Sequence, residues 1–66
     1  MELTINGVKK TLNDIQTVAN LLEQLGYQSN FVAVAVNRTC IKRSDFSGHK
    51  IEAGDNIEIL APMAGG

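Results

Sequence analysis

The chain has one cysteine among its 66 residues, so no disulfide can close within it. A domain of this size buries only about 60% of the surface its unfolded chain exposes. Without a covalent staple it suits a reducing compartment, for which the cytoplasm is the default. Long apolar runs are missing too. No stretch approaches the ~20 apolar residues of a membrane span, and the opening MELTING alternates like a strand instead of placing an apolar block after a basic one, as a signal peptide does. Nor is either sign of charge in surplus: six Lys and Arg stand against seven Asp and Glu, a formal net charge of −1. A chain so balanced has no basic excess to neutralise phosphates, so neither nucleic acid nor a membrane is expected as a partner. Repeats, low-complexity blocks and linkers are absent, which makes residues 1–66 a single domain with little room for a catalytic cleft.

What the chain does have is periodicity. Met1, Leu3 and Ile5 alternate with Glu2, Thr4 and Asn6, and after Asn6-Gly7 an apolar/polar pattern resumes with Val8 and Leu12. Alternation around Asn-Gly predicts a hairpin over 1–12, because both central residues of a type I′ turn need positive φ. From Thr17 the period changes. Val18, Leu21, Leu22 and Leu25 fall at i, i+3, i+4 and i+7, which predicts an amphipathic helix with Thr17 as N-cap and Gly26 as the left-handed residue beyond its end. FVAVAVN (31–37) is too short and too β-branched for a helix and reads as a strand buried on both sides. RTCIK (38–42) adds a brief edge strand, while RSDFSGHK (43–50) and EAGDN (52–56) read as turns. Ile57, Ile59 and Ala61 then alternate with Glu58, Leu60 and Pro62 in a last strand. The order β-β-α-β-(β)-β predicts an α+β fold, a mixed sheet of four to five strands with one main helix. Apolar burial is greatest when the first and last strands lie side by side under the helix, the β-grasp (ubiquitin-like) arrangement.

The last strand runs into APMAGG, and the two closing glycines are either a frayed end or the working part. Pro62 removes a ladder donor where the strand should stop, which makes 62–66 a flexible tail reaching at most about 17 Å when extended. Other residues invite functional readings. Cys40, lying between Thr39 and Ile41, reads as a small buried hydrophobe and not as a sulfur relay. His49 has no second His or Cys at ligand spacing, so it reads as solvated surface, and no metal or bound cofactor is expected. Arg38, Lys42 and Arg43 read as solvated charges or as a patch facing an acidic partner. Leu60 points to the sheet face opposite Ile57 and Ile59, and an apolar residue there is a candidate for docking.

The segments VAVAVN (32–37), KRS (42–44), GDNIEI (54–59) and the terminal AGG together resemble the ThiS family, ubiquitin-like sulfur carriers of thiamine biosynthesis, along essentially the whole chain. The final Gly-Gly after an alternating strand is also similar to MoaD, the small subunit of molybdopterin synthase. The ThiS resemblance implies that the Gly66 carboxylate is adenylated by a ThiF-type enzyme using ATP. It implies next that the adenylate is converted to a thiocarboxylate with sulfur from a cysteine desulfurase system, and that thiazole synthase (ThiG) accepts this sulfur. The carrier would then be a co-substrate and not an enzyme, with Leu60, Pro62, Met63, Ala64 and Gly65 meeting the partners. The chemistry suits the tail. A carboxylate is a poor acyl donor until activated, and AMP as leaving group divides one hard substitution into two easier ones. Glycine at 65 and 66 is thin enough to thread a channel. The alternatives are a MoaD-like enzyme subunit, a ubiquitin-like modifier of lysines, and an interaction domain whose tail is inert.

Overall fold

A computed structural model describes residues 1–61. Strands β1 (Glu2–Ile5) and β2 (Val8–Thr11) form the expected hairpin, and Asn6 and Gly7 at its tip have φ of 51° and 83°, the left-handed pair a type I′ turn demands. Helix α1 follows at Val18–Leu25, then a 3₁₀ turn at Ser29–Phe31, β3 (Ala33–Val36), β4 (Thr39–Ile41), a second 3₁₀ turn at Arg43–Asp45, and β5 (Asn56–Leu60). The sheet order is β2-β1-β5-β3-β4. β1 and β5 run parallel at its centre, with Ile5 opposite Ile57, and the remaining pairs are antiparallel. This is the β-grasp arrangement, with all five strands in one mixed sheet.

Both helix ends are built from the residues that the sequence pattern marks. The Thr17 hydroxyl accepts a hydrogen bond from the Asn20 N–H at 3.2 Å. At the other end Gly26 (φ 84°) donates to the Glu23 carbonyl and Tyr27 donates to that of Leu22, which satisfies two carbonyls the helix leaves free. The first helical N–H groups find partners in a distant loop: Val18 donates to the His49 carbonyl at 3.0 Å and Ala19 to that of Phe46 at 2.9 Å.

That docking explains a departure from the sequence reading. Phe46 sits in polar turn material, yet it is buried, and so are Ile15 and Ile51 from the connections on either side. They close the end of a core formed by Leu3, Ile5, Val34, Val36, Ile57 and Ile59 of the sheet against Val18, Leu21 and Leu22 of α1. His49 is half-buried in the same loop.

Two further expectations are corrected. β3 is not buried on both sides: Val34 and Val36 face the helix, while Ala33 is exposed and Ala35 only half-buried. With a single helix there is nothing among the described residues to cover the second face, and alanine is small enough to make an open face read as part of an apolar run. Cys40 is exposed for the same reason. It lies opposite Ala35, and directly paired residues of antiparallel strands share a face, so its thiol stands on the open side of the sheet.

Candidate functional site

The segment to be explained is the end of β5, because the chain leaves the sheet there toward residues 62–66. Ile57 and Ile59 anchor the strand from below, at 0% and 4% exposure. Alternation then turns Glu58 and Leu60 upward, and Leu60 is 72% exposed, as the sequence pattern predicts. On one side β5 pairs with β3, with Ala33 opposite Leu60 and Val34 opposite Ile59. On the other side β1 has already turned away into its hairpin, and the Asn6 side chain takes its place. Its Nδ2 donates to the Ile59 carbonyl at 3.1 Å, and its Oδ1 accepts from the Ile59 N–H at 2.8 Å.

Leu60 separates two shallow depressions. The larger, about 360 Å³, runs between β5 and the first 3₁₀ turn and includes Asn30, Phe31, Ala33, Arg43 and Ala61. The smaller, about 180 Å³, lies on the open sheet face beside Asn6, Ala35, Cys40 and Glu58. Phe31 is 61% exposed. The sequence pattern had placed it inside a buried strand, but the 3₁₀ turn ends on it, so its ring stands beside the exit of β5 together with Leu60. Large exposed apolar side chains that cluster around one feature mark an interaction surface more often than scattered ones do.

Of the basic residues Arg38, Lys42 and Arg43, the last has a second role. Arg43 is spent on the fold: its Nε donates to the Ser29 carbonyl at 2.9 Å and a terminal nitrogen donates to that of Val32 at 3.1 Å. These bonds fasten the 3₁₀ turn that carries Phe31. Arg38 and Lys42 are exposed on either side of β4. Among the described residues no group of three or more His, Cys, Asp or Glu is placed to hold a metal ion, and no helix is long and apolar enough to cross a membrane. The candidate site residues Pro62, Met63, Ala64, Gly65 and Gly66 lie outside the described residues. What the structure assembles of the expected site is therefore its base: a strand end held on both edges, beside an exposed leucine and an exposed phenylalanine.

Comparison with known proteins bears on what such a strand end serves. The model of the ThiS family matches residues 2–66. The sulfur carrier protein ThiS of Escherichia coli is 37% identical over 51 residues, covering 77% of each chain. A thiazole synthase of Paramagnetospirillum magneticum is 36% identical over 66 residues, all of this chain but only 20% of that protein, so the chain spans about a fifth of that relative's length. The crystal structure of the thiamine biosynthesis protein ThiS from Geobacter metallireducens superposes with a TM-score of 0.84 at 33% identity, covering 100% of both chains. A solution structure of a thiamine biosynthesis protein from the same organism gives 0.83, also at 33% identity, covering all of this chain and 88% of that one.

Proposed function

The chain belongs to the ThiS family, the sulfur carriers of thiamine biosynthesis, and from that premise we propose that its sulfur is carried as a thiocarboxylate on Gly66. The observation that carries this reading is the family match itself, which runs to the last residue and includes Gly65 and Gly66. An α-carboxyl group ordinarily has a pKa of roughly 3.5, so a terminal Gly66 presents a carboxylate at neutral pH. One of its oxygens attacks the α-phosphorus of ATP and pyrophosphate leaves. A sulfur nucleophile at the oxidation level of sulfide then adds to the acyl carbon and expels AMP, so that one carboxyl oxygen has been exchanged for sulfur.

The carrier is a co-substrate in this scheme, and the catalysis belongs to its partners. They are a ThiF-type adenylating enzyme that binds the ATP, a cysteine desulfurase system that supplies the sulfur, and thiazole synthase (ThiG), which takes it up for the thiazole ring. Support for the last comes from the relative in Paramagnetospirillum magneticum, a protein named thiazole synthase that contains a stretch similar to the whole of this chain. Pro62 to Gly66 form the part that enters the partner, and Leu60 and Phe31 meet the rim of its channel. A cytoplasmic location fits both the need for ATP and the lone thiol of Cys40. The thiamine names of the relatives favour this pathway over the molybdopterin and protein-modifier readings.

The test is to supply the chain, and a variant with one serine added after Gly66, with the activating enzyme, ATP and a sulfide source, and to read intact masses. Exchange of one oxygen for sulfur is expected in the unmodified chain alone, because the added residue turns the Gly66 carboxylate into an internal amide. Equal exchange in the extended variant sinks the proposal, since the sulfur must then sit elsewhere.

A further inference from the structure

The hydrogen bonds between Asn6 and Ile59 join residues 53 positions apart and take the place of a missing rung. In the parallel ladder, Thr4 donates its N–H to the Asp55 carbonyl at 3.0 Å and Asn6 donates to that of Ile57 at 2.9 Å. The next rung would serve the N–H and carbonyl of Ile59. β1 has no backbone left to offer there, because Asn6 and Gly7 turn left-handed to make the hairpin. A primary amide carries the same donor and acceptor as a peptide group, and the Asn6 side chain delivers both to Ile59. The turn alone does not require this, since glycine adopts positive φ with less strain than asparagine.

A second asparagine holds the other end of the same strand. Asn37 occupies the corresponding place in the β3–β4 hairpin, with φ 50°. Its Oδ1 accepts from the Asn56 N–H at 2.9 Å and its Nδ2 donates to the Asp55 carboxylate at 3.0 Å. β5 is thus gripped at its start by one hairpin and near its finish by the other. Only the Asn6 grip lies next to the point where the chain departs for residues 62–66.

We propose that Asn6 is a positioning residue for the activation of the terminal carboxylate: its amide keeps β5 in register through Ile59 and thereby sets where the tail begins. The proposal rests on the carrier reading above. Gly66 lies seven positions beyond Ile59, a reach of at most about 25 Å, and when a partner holds that reach extended, a shift at its origin is passed on to the reacting atom. A misplacement of only 1 Å can cost on the order of 100-fold in rate. Phe31 sits on a separate 3₁₀ turn and Leu60 keeps its pairing with Ala33 of β3 without the amide, so docking largely survives and the loss falls mainly on kcat.

The experiment follows ATP–pyrophosphate exchange catalysed by a ThiF-type enzyme, using the full chain and three variants. Asn6→Gly keeps the turn and removes the clamp; Asn6→Asp keeps the acceptor for the Ile59 N–H but loses the donor. Asn37→Gly removes two comparable bonds from the far end of β5 and controls for lost stability. We expect Asn6→Gly to lower kcat about tenfold or more with KM little changed, Asn6→Asp to fall between it and wild type, and Asn37→Gly to resemble wild type. Hydrogen exchange at the Ile59 amide should quicken by roughly tenfold in Asn6→Gly and stay unchanged in Asn37→Gly. A kcat for Asn6→Gly within about twofold of wild type, or an equal loss in Asn37→Gly, overturns the proposal. If Asn6→Gly does not fold, an undiminished kcat in Asn6→Asp overturns it instead. A wild-type chain that supports no exchange overturns the carrier reading itself, an outcome distinct from the others.

Discussion

Arg43 donates a hydrogen bond to the carbonyl of Val32, 11 residues earlier in the chain, at 3.1 Å. With the Nε bond to Ser29 it spans the 3₁₀ turn between them, and so a residue that reads as free surface charge is a brace under Phe31. Arg43→Ala should cost about 1 to 2 kcal/mol, the net value of hydrogen bonds from a charged donor reduced for exposure. Arg43→Lys should recover little of this, because one ammonium cannot reproduce the planar fork. Chemical denaturation measures both, and an unchanged midpoint for the alanine variant would show that the brace contributes nothing.

Leu21 and Leu22 are almost fully enclosed, at 0% and 1% exposure. Replacing either by alanine leaves a cavity and should destabilise the protein by roughly 2 to 5 kcal/mol. For so small a domain that is a large share of the total, which is of order 5 kcal/mol. Thermal and urea midpoints should both fall, and unchanged midpoints in both variants contradict the packing described.

Leu60 and Phe31 should behave in the opposite way. Each is more than half exposed, so Leu60→Ser and Phe31→Ser are expected to alter stability by no more than about 0.5 kcal/mol. If they meet the activating enzyme, each should weaken its binding by about tenfold, the usual cost of truncating an apolar anchor at an interface. Titration calorimetry decides this, and affinity unaffected by both changes removes the docking role.

Arg38 has φ 71° at the second central position of the β3–β4 turn, where a side chain costs roughly 1 to 2 kcal/mol relative to a right-handed conformation. Glycine relieves that strain but gives the unfolded chain more freedom, worth about 0.5 to 1 kcal/mol. Arg38→Gly should therefore stabilise the fold by up to about 1 kcal/mol. A lowered melting temperature would mean that the Arg38 side chain makes a stabilising contact.

The elements that the sequence makes legible are those whose signals are local. Asn6-Gly7 marks its turn through the backbone angles it tolerates. Thr17 and Gly26 bracket one helix through caps that act within four residues, and Ile57 and Ile59 show by alternation that Leu60 must face outward. Phe46, Ile15 and Ile51 are missed because their burial comes from a loop docking on the helix start, which no periodicity records. Ala33, Ala35 and Cys40 mislead because small residues suit an open sheet face as well as a core. Phe31 is missed because the strand begins two residues later than its apolar run. Of the candidate site, Leu60 was legible and the Asn6 clamp was not, since nothing at position 6 announces a partner 53 residues away.

The central place of β5 has a mechanical side. A partner that grips the residues beyond Ala61 and pulls along the strand loads the hydrogen bonds to β1 and β3 together, in shear. It cannot peel them apart singly, as it could if the tail left from the edge strand β4. Extracting the strand then means breaking its bonds to both neighbours together, not one after another. On the carrier reading proposed above, a pull on the tail is therefore borne by two neighbouring strands at once, and the last strand stays in the middle of the sheet while the tail is handled.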